Sequence, residues 1–333
     1  MVLKDVFKRP LLDLRISVTD RCNMRCRYCM PREHFDKNHV YLPKSDILSF
    51  EEIVRVVESL LPAGLRKVRL TGGEPLIRKD LYKLIEQLRE LSPDLDIALT
   101  TNAQLLSKSI QDLKKAGLSR VTVSLDALDV DVYQAMGDTT STPDEIIESI
   151  DKTLALGIPV KVNTVIQKGV NEHQVIPLIS QMGSRNIPIR FIEYMDVGAT
   201  NSWNLDHVMT GKEMRHLIEN EFGLIQPIKP NHPSDVARTY RTDSGSVIGF
   251  IESISNPFCG DCSRARLSAN GSIYTCLFAT EGFDLRGILR MDATKEDITS
   301  AISAIWNQRK DRYSETRSEK TDLNRIEMSF IGG

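Results

Sequence analysis

The chain has 333 residues, 41% of them hydrophobic and 26% charged, the balance of an ordinary globular protein. A formal charge of −2 and a pI near 6.3 remove any global case for nucleic acid or an anionic membrane as partner, so an anionic ligand must be held by locally placed Arg and Lys. No apolar run approaches membrane-spanning length and the first ten residues lack the apolar core of a signal peptide, so a cytoplasmic location is expected.

In chain order, the apolar pattern predicts strands over 12–18, 67–71, 96–101, 120–125, 160–166 and 187–194, and amphipathic helices over 50–61, 78–91, 105–116, 143–156 and 173–182. Ser49 before Glu52 reads as a capping box, and Gly117 and Gly157 stand just beyond their helices. Six βα-type units in succession imply a parallel sheet, read here as a partial (β/α)6-type TIM barrel, with a doubly wound sheet as the rival. The alternation stops after Asp196. Residues 197–210 read as loop and 212–222 as a helix. The expected organisation is a barrel over 1–200 and a C-terminal α+β extension over 201–333 that closes the open side. The charged stretch 309–320 reads as a solvated loop or a phosphate-facing rim.

Side chains alternate faces along a strand. Leu14, Ile16 and Val18 therefore oppose Arg15, Ser17 and Thr19, Val68 and Leu70 oppose Arg69 and Thr71, and Val160 and Val162 oppose Lys161 and Asn163. In the fourth strand Val121, Val123 and Leu125 oppose Thr122, Ser124 and Asp126. The apolar faces should pack on helices, leaving a polar lumen. A filled barrel carries branched apolar residues there, so a polar lumen implies a polar ligand or a set of interior salt bridges.

All six cysteines fall in two sets of three. The first follows the first strand: Cys22-Asn23-Met24-Arg25-Cys26-Arg27-Tyr28-Cys29, spaced C-x3-C-x2-C. Three thiolates on one loop can ligate three irons of a four-iron cluster and leave the fourth open. A zinc turn, disulfides or unrelated core cysteines are the alternatives, although structural zinc wants four ligands at other spacings and such close cysteines bridge only with strain. The second set is Cys259, Cys262 and Cys276, with Arg264-Ala265-Arg266 and Asn270-Gly271 between. Cys262, Arg264 and Arg266 share a strand face. A three-residue loop 269–271, with Gly271 left-handed, would bring Cys276 to that face and pair Ser268 with Ser272, Arg266 with Tyr274 and Arg264 with Cys276. The second set then reads as another three-thiolate cluster flanked by guanidiniums, with structural zinc or an ordinary cluster as the alternative.

Gly72-Gly73-Glu74-Pro75 after the second strand would let a ligand approach the backbone. Together with C-x3-C-x2-C it resembles the radical S-adenosylmethionine superfamily. The stretches Cys22 through Pro31, Arg69 through Pro75, Leu99 through Asn102, Ser124-Leu125-Asp126, Phe258 through Phe278 and Gly332-Gly333 resemble one family within it, the GTP 3′,8-cyclases of molybdenum cofactor biosynthesis, over nearly the whole chain. The resemblance implies two 4Fe–4S clusters and S-adenosylmethionine as cofactors. The first cluster cleaves S-adenosylmethionine to a 5′-deoxyadenosyl radical, which takes hydrogen from ribose C3′ of GTP, and the C3′ radical closes onto guanine C8. The second cluster binds the guanine. Tyr28, Gly73, Ser124 and Met195 would contact S-adenosylmethionine. Arg15, Arg69, Thr100, Lys161, Arg264, Ala265 and Arg266 would contact GTP, with Arg15, Arg264 and Arg266 as catalytic cations and Arg190 and Asn163 as further candidates. An electron donor such as flavodoxin or ferredoxin, a downstream pyranopterin-forming enzyme and a homodimer are the implied partners. The rival classes are a radical enzyme modifying a peptide and an iron–sulfur electron carrier.

Overall fold

The computed structural model describes residues 2–230, 232–317 and 325–332. Six parallel strands form its centre: β1 (Asp13–Ser17), β2 (Lys67–Thr71), β3 (Asp96–Thr101), β4 (Arg120–Ser124), β5 (Val160–Ile166) and β6 (Ile189–Glu193). The helices between them are α1 (Phe50–Leu60), α2 (Leu81–Leu91), α3 (Leu106–Lys115), α4 (Val130–Gly137), α5 (Pro143–Ala155) and α6 (Val175–Gly183). The Ser49 capping box forms as read, with Glu52 N–H donating to the Ser49 hydroxyl at 3.1 Å and Ser49 N–H to the Glu52 carboxylate at 2.7 Å. The second helix starts three residues later than the periodicity suggests, because Asp80 takes a left-handed conformation (φ 58°) that ends the preceding turn. Helix α4 was not anticipated.

The chain beyond Glu193 adds strands to both edges of the sheet. After α7 (Gly211–Phe222), β7 (Gln226–Ile228), β8 (Arg238–Arg241) and β9 (Val247–Ile251) extend it past β6, with β9 parallel to β6. β10 (Arg264–Leu267), β11 (Ser272–Tyr274) and β12 (Phe283–Asp284) extend it past β1, with β10 parallel to β1. The order is β12-β11-β10-β1-β2-β3-β4-β5-β6-β9-β8-β7, an open barrel flanked on both sides by its extension. Among the described residues three helices follow: α8 (Arg286–Leu289), α9 (Lys295–Asn307), which packs on α1, and α10 (Met328–Ile331). Among the described residues no helix is long and apolar enough to cross a membrane.

Strand parity sorts the barrel as the sequence implies. Leu14, Ile16, Val68, Leu70, Val121, Val123 and Val162 are buried in one continuous core with the inward faces of the helices. The hairpin arithmetic also holds where the ladder runs. Arg266 pairs with Tyr274 and Leu267 with Ile273, Ser268 N–H donates to the Ser272 carbonyl, and Gly271 has φ 85°. Cys276 lies beyond β11, so Arg264 takes its strand partner from β1 instead, at Asp13.

A Cβ at Gly271 would stand 2.9 Å from both Leu48 Cδ2 and Arg286 Cβ, on top of the left-handed backbone. Gly271→Ala should therefore lower stability by more than about 1 kcal/mol, read as a lower denaturant midpoint at unchanged slope.

Candidate active site

A cavity of about 600 Å³ opens on the polar faces of the strands. Its wall includes Cys22, Cys26, Cys29, Arg15, Tyr28, Arg69, Gly73, Thr100, Ser124, Lys161, Met195, Arg264 and Arg266, so the structure brings these together as the sequence reading expected. Among the expected substrate and cofactor contacts Ala265 is the exception. Strand parity turns it away, into the core, where it is fully buried and pairs through its backbone with Leu14.

The register stacks the charges in rows. Across the N-terminal ends of the strands run Arg264, Asp13, Lys67 and Asp96, with alternating sign. Lys67 Nζ lies 2.7 Å from Asp13, and Arg120 pairs with Asp96. The next row is different: Arg266, Arg15 and Arg69 stand side by side on three adjacent strands. Like charges in register repel; Arg266 and Arg69 are also buried and Arg15 is half-buried. Burial, then the Arg69 and Arg264 charges, bring the Arg15 guanidinium down to about 9. Burial likewise lowers Arg69 to about 10 and pulls Arg266 far down. Arg69 donates to the hydroxyls of Thr100 (2.9 Å) and Thr122 (3.1 Å), but its Nε, the Nε of Arg15 and Oδ1 of Asn163 are buried without a partner. Salt bridges thus join acids and bases in one row, where Oδ1 of Asp13 and Oδ1 of Asp96 are nonetheless buried without a partner. The other is a set of converging donors that suits an anion with several oxygens.

The cysteine loop is fixed by backbone contacts. Gly73 N–H donates to the Thr19 carbonyl (2.9 Å) and Glu74 N–H to that of Arg21 (2.8 Å). A Cβ at Gly72 would come within 2.4 Å of the Thr19 carbonyl oxygen, and one at Gly73 within 2.3 Å of that of Arg21. The two glycines therefore admit the cysteine loop itself, a reason distinct from the ligand approach inferred from sequence. Arg25 staples the loop from outside, donating to the carbonyls of Cys22, Met24 and Phe35. Tyr28 donates to Asp126 at 2.7 Å, and burial raises that carboxyl to about 6.

All six cysteines are unbridged and partly buried. Among the described residues no three Cys, His, Asp or Glu donors surround a point that one metal ion could fill. Thiolates that each hold a different iron of a cluster need no such convergence. Burial, followed for Cys26 by the neighbouring Cys22 and Cys29, raises the first three thiols, with Cys22 at about 11. Such thiols hold their protons in the absence of a metal, and a bound metal would displace them. The second set lies one residue back from the cavity wall, behind Phe258, Ser263, Arg264 and Leu277. Arg264 spans the gap, donating to Cys262 Sγ at 3.2 Å. Burial would raise Cys262, but Arg264 and Arg309 overcome it and bring the thiol down to about 6. Since β10 runs parallel to β1, Cys262 sits before the strands begin and Cys22 after they end. The two sets are therefore separated by roughly the length of β1, about 13 Å, with the guanidinium row between them.

The chain's end enters this space. The Gly332 carbonyl accepts from Arg266, Met328 and Ser329 line the cavity, and a Cβ at Gly332 would meet Thr71 Cγ2 at 2.5 Å. Gly333 lies outside the described residues. The cavity also collects residues not singled out from sequence, including Lys67, Arg120 and His232. Parity could have found the first two, which share faces with Arg69 and Thr122. His232 comes from the β7–β8 connection and left no such signal. The stretch 309–320 departs from its solvated reading. Arg309 is buried against the second cysteine set, and Arg317 pairs with Asp196 at 3.0 Å; residues 318–320 lie outside the described residues.

The Radical SAM superfamily model matches residues 16–182, and the Molybdenum Cofactor Synthesis C model matches 187–315. The fold and the cysteine loop are those of a radical S-adenosylmethionine protein. GTP 3′,8-cyclase of Staphylococcus haemolyticus is 46% identical over 337 residues, 99% of each chain, and that of Staphylococcus carnosus is 44% identical over 337 residues, again 99% of each. The chain belongs to the GTP 3′,8-cyclase family. Among solved structures, Streptococcus suis SuiB bound to S-adenosylmethionine superposes with a TM-score of 0.63 at 17% identity, over 94% of this chain and 70% of that one. Methylornithine synthase superposes at 0.50 and 16% identity, over 65% of this chain and 63% of that one. These two share the fold.

An unpaired buried cation that serves a ligand should weigh on the ligand-free fold. Arg15→Met is expected to raise the thermal midpoint of the ligand-free protein while removing most of the further rise caused by added inorganic triphosphate. A lower midpoint together with an undiminished triphosphate effect would contradict this reading of the row.

Proposed function

We propose that this chain is a radical S-adenosylmethionine enzyme that cyclises GTP, joining ribose C3′ to guanine C8 in the first step of molybdenum cofactor synthesis. The observation that carries the proposal is the buried, unneutralised row Arg266–Arg15–Arg69 between two three-cysteine sets, in a chain 46% identical from end to end to GTP 3′,8-cyclases. Cys22, Cys26 and Cys29 fit three corners of a 4Fe–4S cluster, being free, gathered on one stapled loop and facing the cavity. Cys259, Cys262 and Cys276 fit a second, whose anionic charge Arg264 and Arg309 would balance. When bound, the first cluster supplies the electron that cleaves S-adenosylmethionine and so generates the hydrogen-abstracting species.

The protein's own groups orient the substrates. Tyr28, Gly73, Ser124 and Met195 line the end of the cavity nearest the first set and hold S-adenosylmethionine. The forks of Arg15, Arg69 and Arg266, with Lys161 and Thr100 beside them, take the phosphates and ribose of GTP. Arg264 faces both the nucleotide and the second set. Residues 1–200 form the barrel unit and 201–333 the substrate unit. The enzyme works in the cytoplasm as a homodimer, draws electrons from a flavodoxin or ferredoxin and hands its product to a pyranopterin-forming enzyme. A peptide-modifying role would leave the guanidinium row unmatched, and an electron carrier would have no use for the cavity.

Anaerobically reconstituted protein should hold about eight irons, the number for two four-iron clusters. It should release 5′-deoxyadenosine only when GTP, S-adenosylmethionine and reductant are all present; equal release with ATP or a peptide refutes the substrate. Cys26→Ala should abolish cofactor cleavage, whereas Cys262→Ala should keep about four irons and lose cyclisation.

Burial, reinforced by Arg190 and Arg120, lowers Lys161 to about 8. Bound phosphate would raise it again, so binding takes up a proton, and GTP affinity should fall as pH rises through about 8. In Lys161→Met the affinity should be weaker at pH 7 and should fall less between pH 7 and 8 than in the wild type, as titration calorimetry can test.

A further inference from the structure

The second cysteine set rests on a buried ion network built from the two ends of the chain. Asp5 and Arg9 come from the N-terminal segment, and Arg309 follows α9. The side chains of all three are at most 2% exposed. Arg9 Nε lies 2.5 Å from Asp5 Oδ2, and its Nη1 donates to the carbonyls of Cys259 (2.7 Å) and Asp311 (2.9 Å). Arg309 makes four contacts of its own. Nη1 donates to the Cys262 carbonyl (2.8 Å) and to Asp5 Oδ2 (3.3 Å), Nε to the Thr275 carbonyl (3.0 Å), and Nη2 to Cys262 Sγ (3.2 Å). Its guanidinium also lies 4.5 Å over the Trp306 ring, whose N–H donates to the Arg9 carbonyl.

The two guanidiniums thus grip the backbone at Cys259, Cys262 and Thr275, the residue before Cys276. A surface loop needs no such scaffold. With Arg264, which also stands beside Asp13, two guanidiniums donate directly to the Cys262 sulfur, so positive charge is concentrated at that atom. Buried charge of one sign persists where the opposite charge is expected, and a hydrogen bond to a ligating sulfur stabilises the reduced, more negative state of a cluster.

We propose that Arg309, anchored by Asp5, is a positioning residue for the second cysteine set: it fixes the backbone that spaces the three sulfurs and, through its contact with Cys262 Sγ, sets the reduction potential of the cluster held there. This rests on the two-cluster reading above. It separates the two centres chemically, since nothing in this network touches Cys22, Cys26 or Cys29.

The test is an anaerobic reductive titration of the full-length reconstituted protein, followed by electron paramagnetic resonance, with iron counts alongside. Arg309→Gln should move the second cluster's midpoint to more negative potential, or remove that cluster so that iron falls by half. The first cluster's signal, and its change on adding S-adenosylmethionine, should stay as in the wild type. Arg309→Lys, which keeps the charge but not the fork, should fall between the two; it is the variant to read if Arg309→Gln does not fold. If Arg309→Gln and Arg309→Lys both leave the second cluster's midpoint and occupancy unchanged, or shift both clusters equally, the proposal is wrong. A wild-type protein that holds only one cluster would instead overturn the two-cluster reading.

Discussion

Three guanidiniums that cannot neutralise one another stand in register across β10, β1 and β2, and the rest of the site is arranged around that conflict. Nearby charges show what a relaxed solution looks like: one step toward the strands' N-terminal ends, Arg264, Asp13, Lys67 and Asp96 alternate in sign. The chain can therefore balance charge inside this barrel and does not do so at Arg266, Arg15 and Arg69. Burying like charges disfavours the fold unless something else supplies the opposite sign. A triphosphate would do so with several oxygens at once, and the apolar layer beneath the row, from Leu14 to Val162, is buried.

That conflict depends on a long-range pairing. Without β10 beside β1, Arg264 and Arg266 would not reach the cavity, and the second cysteine set would have no fixed relation to the first. Running β10 parallel to β1 sends the chain into the barrel from the end opposite Cys22. The two sets are consequently held apart at the two ends of one strand, with a nucleotide-sized space between them. Arg264 and Arg309 then convert the rear set from three isolated thiols into a site with its own charge environment.

Much of this could be read from local pattern. Period-two alternation along 12–18, 67–71 and 160–166 identified which side chains face the cavity, because a strand leaves each residue only two directions. Turn arithmetic fixed the β10–β11 register for the same reason: one residue more or less in the loop moves every side chain to the other face. What escaped was non-local. β9 is placed by pairing with β6, β8 and β7 follow on it in turn, and α9 is set by packing on α1. Arg309 lies in a run of charges indistinguishable by composition from a solvated loop; only the partner Asp5, about three hundred residues away, makes it a buried residue. Gly72 and Gly73 were read as admitting a ligand, whereas the close approach the structure shows there is between two segments of the chain's own backbone, a fact sequence periodicity does not encode.

The join between β1 and β10 also imposes a chronology. Asp13 leaves the ribosome early, and its neighbour Arg264 follows only after most of the polypeptide has been made. Throughout that interval β1 has one bare edge, the kind of surface that invites mispairing. The loop from Cys22 to Cys29 and the β2 segment that braces it are both complete long before Cys259 exists. The first cysteine loop and its brace are thus local in the chain, whereas the second set takes its place only when β10 docks on β1.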